Sequence, residues 1–193
     1  MRKKSKLVYG VGINDSETPV YKYVNGKKVI CPFYERWKGM LKRCYSEKYQ
    51  EKQPTYIGCS VCEEWLTFSN FRDWMQSQDW ECKDLDKDLL IEGNKVYSPH
   101  NCIFVSHKIN SFTTDRASSR GDCLIGVHWH NRDGKFQSRC NNPFTGKYEY
   151  LGDFTSELAA HKAWKRRKHE LALMLAEEVE YPRLKKALIT RYV

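Results

Sequence analysis

Hydrophobic and polar positions change their period several times along the chain. Over the first thirty residues short β-prone runs alternate with turns: Leu7–Gly12, Val20–Val24, the pair Asn25-Gly26, then Lys27–Cys31. Asn-Gly between two such runs predicts a hairpin, because both residues accept the positive φ of a tight two-residue turn. After Pro32 the spacing lengthens. Phe33, Trp37, Met40, Leu41 and Cys44 share one face of a helix, and Arg36, Lys38, Lys42 and Arg43 occupy the other. Pro54–Cys62 reads as a turn-rich connection. A second amphipathic helix follows, with Phe68, Phe71, Trp74 and Met75 inward and Thr67 as its N-cap. Leu85–Ile91 and Cys102–Ser106 read as strands around a loop at Glu92–His100, and helical spacing resumes near His107.

Thr113–Gly121 (TTDRASSRG) is nearly devoid of apolar side chains and predicts a linker, residues 113–121, between a domain at 1–112 and another at 122–193. Three short strands follow, Ile125–Trp129, Phe136–Cys140 and Tyr148–Leu151, separated by Asp133-Gly134 and Pro143–Gly146. A long helix after Thr155 carries Ala160, Ala163, Trp164, Arg167, Leu171, Met174 and Leu175 on its inner stripe, with Arg167 at the rim. A short basic helix begins after Pro182. The fold class is α+β: amphipathic helices and short strands first, then a three-stranded antiparallel sheet packed on one helix.

Composition narrows the class. In 193 residues, 40% are hydrophobic and 13% aromatic, enough for a core. No apolar run is long enough for a membrane span, and the Met1-Arg2-Lys3-Lys4 start leads into no signal-peptide core. The expectation is a cytoplasmic protein with no membrane partner, whose eight cysteines are free thiols or metal ligands. The net charge of +9 is unevenly placed: residues 1–50 carry 12 basic and 4 acidic side chains, 51–100 carry 5 and 10, and 101–193 carry 16 and 10. Basic blocks suit a phosphate backbone; the acidic one suits either a metal or a solvated loop.

In the C-terminal strands, alternation turns Phe136, Ser138 and Cys140 toward the helix and leaves Lys135, Gln137 and Arg139 outside. His128 and His130 share a face of the first strand, as do Tyr148 and Tyr150 on the third. Such a face suits the DNA major groove, though a solvated sheet has the same composition. Gly126-Val127, Gly134-Lys135-Phe136, Gly146-Lys147, Leu151-Gly152-Asp153-Phe154 and Thr155–Ala160 stand in the order and spacing of the plant ethylene-response-factor (Apetala-type) DNA-binding domain. The resemblance covers about residues 123–170. It implies a three-stranded sheet on one helix, with His128, His130, Lys135, Gln137, Arg139, Tyr148 and Tyr150 facing or flanking the groove. Several of those places are arginine in the plant proteins and His or Tyr here.

The segment from Leu85 to Asn110 resembles the HNH endonuclease finger: a strand, a loop with Gly93-Asn94-Lys95, a second strand opened at Asn101, and a helix bearing Asn110. Asp88 lies 13 residues before Asn101 and 22 before Asn110, in line with that family's common spacing. The resemblance implies Asp88 and Asn110 as Mg²⁺ ligands, with Asp88, Asn101 and Asn110 in the catalytic set. Where the finger carries its general base, this chain has Leu89. Cys59-x-x-Cys62, with Cys82 and Cys102, has the ligand types of a Zn²⁺ site. Together the two halves are similar to phage HNH-like, homing-endonuclease-type proteins. Three functions stay open: an Mg²⁺-dependent nuclease acting on double-stranded DNA, a non-catalytic DNA-binding regulatory or architectural protein built on a retired nuclease finger, or a protein-binding factor, which the aromatic helices permit and no motif points to.

Overall fold

A computed structural model describes residues 7–114 and 121–193, which form two compact units, one ending at Val105 and the other beginning at Ser106. The division falls upstream of the linker expected at 113–121, most of which, residues 115–120, lies outside the described residues. Helix and sheet are mixed in both units.

The first unit opens with a tight turn at Tyr9-Gly10 and then a hairpin, β1 (Tyr21–Val24) and β2 (Lys27–Ile30), antiparallel, with Asn25 and Gly26 both at positive φ as the sequence predicts. Helix α1 (Pro32–Tyr45) starts on proline, whose missing N–H costs nothing at a first turn. It buries Trp37, Met40, Leu41 and Cys44 of the expected stripe, and Phe33 is half-buried against the same core. The short α2 (Glu47–Gln50) follows; Gln50 Nε2 donates to the Cys44 carbonyl at 2.8 Å and caps the end of α1. Strand β3 (Ser60–Val61) leads to α3 (Phe68–Gln76), which buries Phe68, Phe71 and Met75. Thr67 sits at the N-cap of α3, but its side chain makes no capping hydrogen bond. Trp37 Nε1 donates to the Trp65 carbonyl at 2.7 Å, tying α1 to the turn before α3. Rings at Trp37, Trp65, Phe68, Phe71 and Trp74 pack with centroids 4.4–5.8 Å apart, the offset and edge contacts aromatic quadrupoles favour.

Around that core lie β4 (Lys83–Asp86), β5 (Val96–Tyr97) and β6 (Ile103–Ser106); β5 runs parallel to β3, and β4 bonds to β6. The strand expected at Leu85–Ile91 is therefore shorter and starts earlier. Asp86 stops it: its carboxylate accepts from the N–H groups of Asp88 at 2.9 Å and Leu89 at 2.7 Å, an Asx-type turn that outcompetes strand pairing.

The second unit begins with α4 (His107–Thr113), N-capped by the Ser106 hydroxyl on the Ile109 N–H. An antiparallel sheet follows, ordered β7 (Val127–His130), β8 (Lys135–Asn141) and β9 (Tyr148–Phe154). Helix α5 (Glu157–Glu177) packs on β8 and β9, and α6 (Pro182–Thr190) packs on α5. Ala160, Ala163, Trp164, Leu171 and Leu175 are buried as expected, but Met174 is exposed and Lys168 takes an inner position. Lys168 Nζ donates to the Phe112 carbonyl at 2.6 Å and lies 3.5 Å from the Phe112 ring centre, which fastens α4 onto α5. Burial pushes this ammonium down to about 8. Gly126, at positive φ, lies directly under Trp164, where any Cβ would clash.

Candidate nucleic-acid interface

Cross-strand pairing assembles the outer face of the second unit. His130 pairs with Lys135, His128 with Gln137 and Gln137 with Asp153; after a register shift between Ser138 and Arg139, Arg139 pairs with Tyr150 and Asn141 with Tyr148. Six of the seven side chains expected at the groove stand where alternation puts them. Lys135 and Arg139 are exposed, His128 and His130 are half-buried, and Tyr148 and Tyr150 are 75% and 57% exposed.

Gln137 corrects the expectation. It sits in the middle strand between His128 and Asp153, only 8% of it is accessible, and its Oε1 accepts from the Arg139 guanidinium at 3.2 Å. It aims Arg139 instead of presenting a free amide. The face also holds acid. His130 Nδ1 lies 2.9 Å from Asp133, and the Asp153 carboxylate, hydrogen-bonded to Tyr150, raises that phenol's pKa. Gly126, Val127, His128, Arg139 and Tyr148 line an open hollow of about 220 Å³.

The flanking basic faces are thinner than the sequence suggests. Arg167 forks onto both Glu149 oxygens at 2.6 and 3.1 Å and reaches Glu170 at 2.7 Å, Lys168 is buried, and Lys165 bonds the Val193 carbonyl. In the first unit Arg36 donates to the Lys83 carbonyl, and Arg43 is hydrogen-bonded to Tyr97, whose phenol, with that of Tyr56, raises its pKa against the penalty of burial. Of these two faces Lys38, Lys42, Lys165 and Arg166 are exposed.

The segment from β4 to β6 is polar but inward-looking. Asp88 gives one carboxylate oxygen to the Lys87 ammonium at 2.9 Å, and that ammonium also donates to the Asn94 carbonyl at 3.0 Å. Burial opposes the charge on Lys87, but Asp88 outweighs it and the pKa is raised. Burial, with Asp88 nearby, raises that of Asp86. The Asn94 side chain donates to the carbonyls of Lys87 at 2.6 Å and Val96 at 2.8 Å, and its Oδ1 accepts from Asn101 Nδ2 at 3.0 Å. Asn101 is thus a loop brace. Leu89 is 3% exposed. Asn110 lies on α4, in the second unit.

Tested against this arrangement, a hydrolytic Mg²⁺ centre is incomplete. The cation beside Asp88 is the chain's own lysine, and Leu89, where the resemblance puts a base, is a buried aliphatic side chain. Among the described residues no three His, Cys, Asp or Glu side chains gather as metal ligands. Of the four cysteines considered for Zn²⁺, Cys59 and Cys102 are buried, Cys62 is half-buried and Cys82 is exposed. Burial pushes the Cys102 thiol up to about 12 and raises that of Cys62.

Sequence reasoning missed Arg132, exposed in the turn between β7 and β8 and paired with Asp133; Trp129, also exposed, belongs to the other face of the sheet, its ring edge-on to Phe136. The turn Asn131–Gly134 was the available signal, since a hairpin tip projects its side chains. Comparison with known proteins returns no match for this chain, whether with protein-family models, with curated proteins or with solved structures.

Proposed function

We propose that this chain binds double-stranded DNA, with the outer face of the β7–β8–β9 sheet entering the major groove. The observation that carries the reading is Arg139, steered by Gln137 and flanked by the exposed Tyr148 and Tyr150. A guanidinium there can meet paired acceptors on a guanine edge, while the phenols offer apolar contact and hydroxyls to bases or phosphates. The likeness to ethylene-response-factor domains supports the same placement. In this reading the N-terminal half is a phage-type HNH-like finger kept for binding, because Leu89 supplies no base.

One observation favours the second reading, Mg²⁺-dependent phosphodiester cleavage. Asp86 and Asp88 lie together in one turn, and a pair of carboxylates attracts a divalent cation. No role is proposed for Zn²⁺. The experiment incubates the protein with supercoiled and linear duplex DNA, in Mg²⁺, Mn²⁺ or EDTA, beside Asp88→Ala. Salt-sensitive binding without cleavage is expected. Metal-dependent nicking lost in Asp88→Ala would replace this reading with the nuclease; failure to bind duplex DNA would end both.

A further inference from the structure

The β1–β2 hairpin has no part in the interface above, and its surface is unusual. Residues 21–30 are all exposed, including Tyr23 at 69% together with Tyr21, Val24, Val29 and Ile30. Two four-residue strands with both faces in solvent make a ribbon that is marginal alone. Here the base is anchored: the Cys31 N–H donates to the Val20 carbonyl at 2.9 Å, both residues pack against the aromatic core, and α1 begins at the next residue. At about 3.3 Å per residue the ribbon spans about 13 Å.

Register sorts its side chains. Tyr21, Tyr23, Lys28 and Ile30 share one face, and Lys22, Val24, Lys27 and Val29 share the other. Lys28 Nζ lies 4.1 Å from the Tyr21 ring centre, and Tyr21 meets Tyr23 edge-on. From Val20 to Ile30 there are three lysines and no acidic residue. An apolar ribbon seeking a protein strand has no need of that bias. A polyanion does, and a two-stranded ribbon fits a groove about 12 Å wide.

We propose that the β1–β2 ribbon is a second, separate contact for double-stranded DNA, with Lys22, Lys27 and Lys28 on phosphates and Tyr21 and Tyr23 against sugars or base edges. This rests on the DNA-binding reading above. The test measures affinity of the full chain for a mixed-sequence duplex as a function of salt, for wild type and for Lys22→Gln/Lys27→Gln/Lys28→Gln. Each lost phosphate contact lowers the slope of log affinity against log salt by about 0.9, so a fall of about 2–3 is expected. In parallel, acetylation of the wild-type lysines with and without duplex is followed by mass spectrometry, which does not depend on the variant folding. Lys22, Lys27 and Lys28 are expected to be protected. Wild-type binding with an unchanged slope in the variant and no protection would overturn the ribbon's role and leave the sheet's standing. No binding by wild type would overturn both.

Discussion

The loop between β4 and β6 and the outer face of the β7–β9 sheet use polar side chains in opposite ways. Both place hydrogen-bonding side chains on or between short strands. In the loop those groups are consumed: Asp86 satisfies two backbone N–H groups, Asn94 serves two carbonyls and an amide, and Lys87 bridges Asp88 and a carbonyl. On the sheet the backbone is already satisfied by its ladder, so Lys135, Arg139, Tyr148 and Tyr150 remain exposed. A polar residue in an irregular loop is first a structural ligand for the chain, because buried peptide groups must be paired. A polar residue on a strand's outer face carries no such duty.

That contrast can be broken at its strongest point by Leu89→His, which puts an imidazole where a nuclease finger holds its base. Because Leu89 is buried, the substitution is expected to cost about 3 kcal/mol in denaturant unfolding and to create no metal-dependent cleavage. Nicking gained without loss of stability would mean the loop is a working site after all. A smaller effect is expected from Asn94→Ala: about 2 kcal/mol, from carbonyls left partly unpaired, with faster amide exchange confined to 87–101. Arg139→Ala should leave stability within about 0.5 kcal/mol yet weaken binding to a selected duplex by about 1–3 kcal/mol more than to random sequence. Equal losses on both duplexes would reduce Arg139 to a phosphate contact and blur the distinction between the two regions.

Much of the framework was legible from spacing. The α1 stripe at Trp37, Met40, Leu41 and Cys44, the Asn25-Gly26 hairpin and the three C-terminal strands each declare themselves within a dozen residues. What was not legible depends on side chains that cancel a local pattern or act from far away. Leu89-Leu90-Ile91 looks like a strand, but Asp86 turns the chain before it. Alternation assigns Gln137 to the outer face and says nothing of the neighbours that cover it. Lys168 reads as part of a solvated basic run until Phe112, 56 positions earlier, is found beneath it.

The seating of α4 bears on how this chain could be taken apart. The TTDRASSRG stretch invites a cut, and a fragment started at Asp122 would retain all three strands of the sheet. It would also strip Phe112 from Lys168 and from Tyr192, whose ring packs 5.8 Å away, and leave a charged amine facing a vacated aromatic socket. The compact unit is therefore the one that begins at Ser106 and includes α4. A cut placed by the polar stretch of the sequence would keep the three strands and lose part of the core packed on α5.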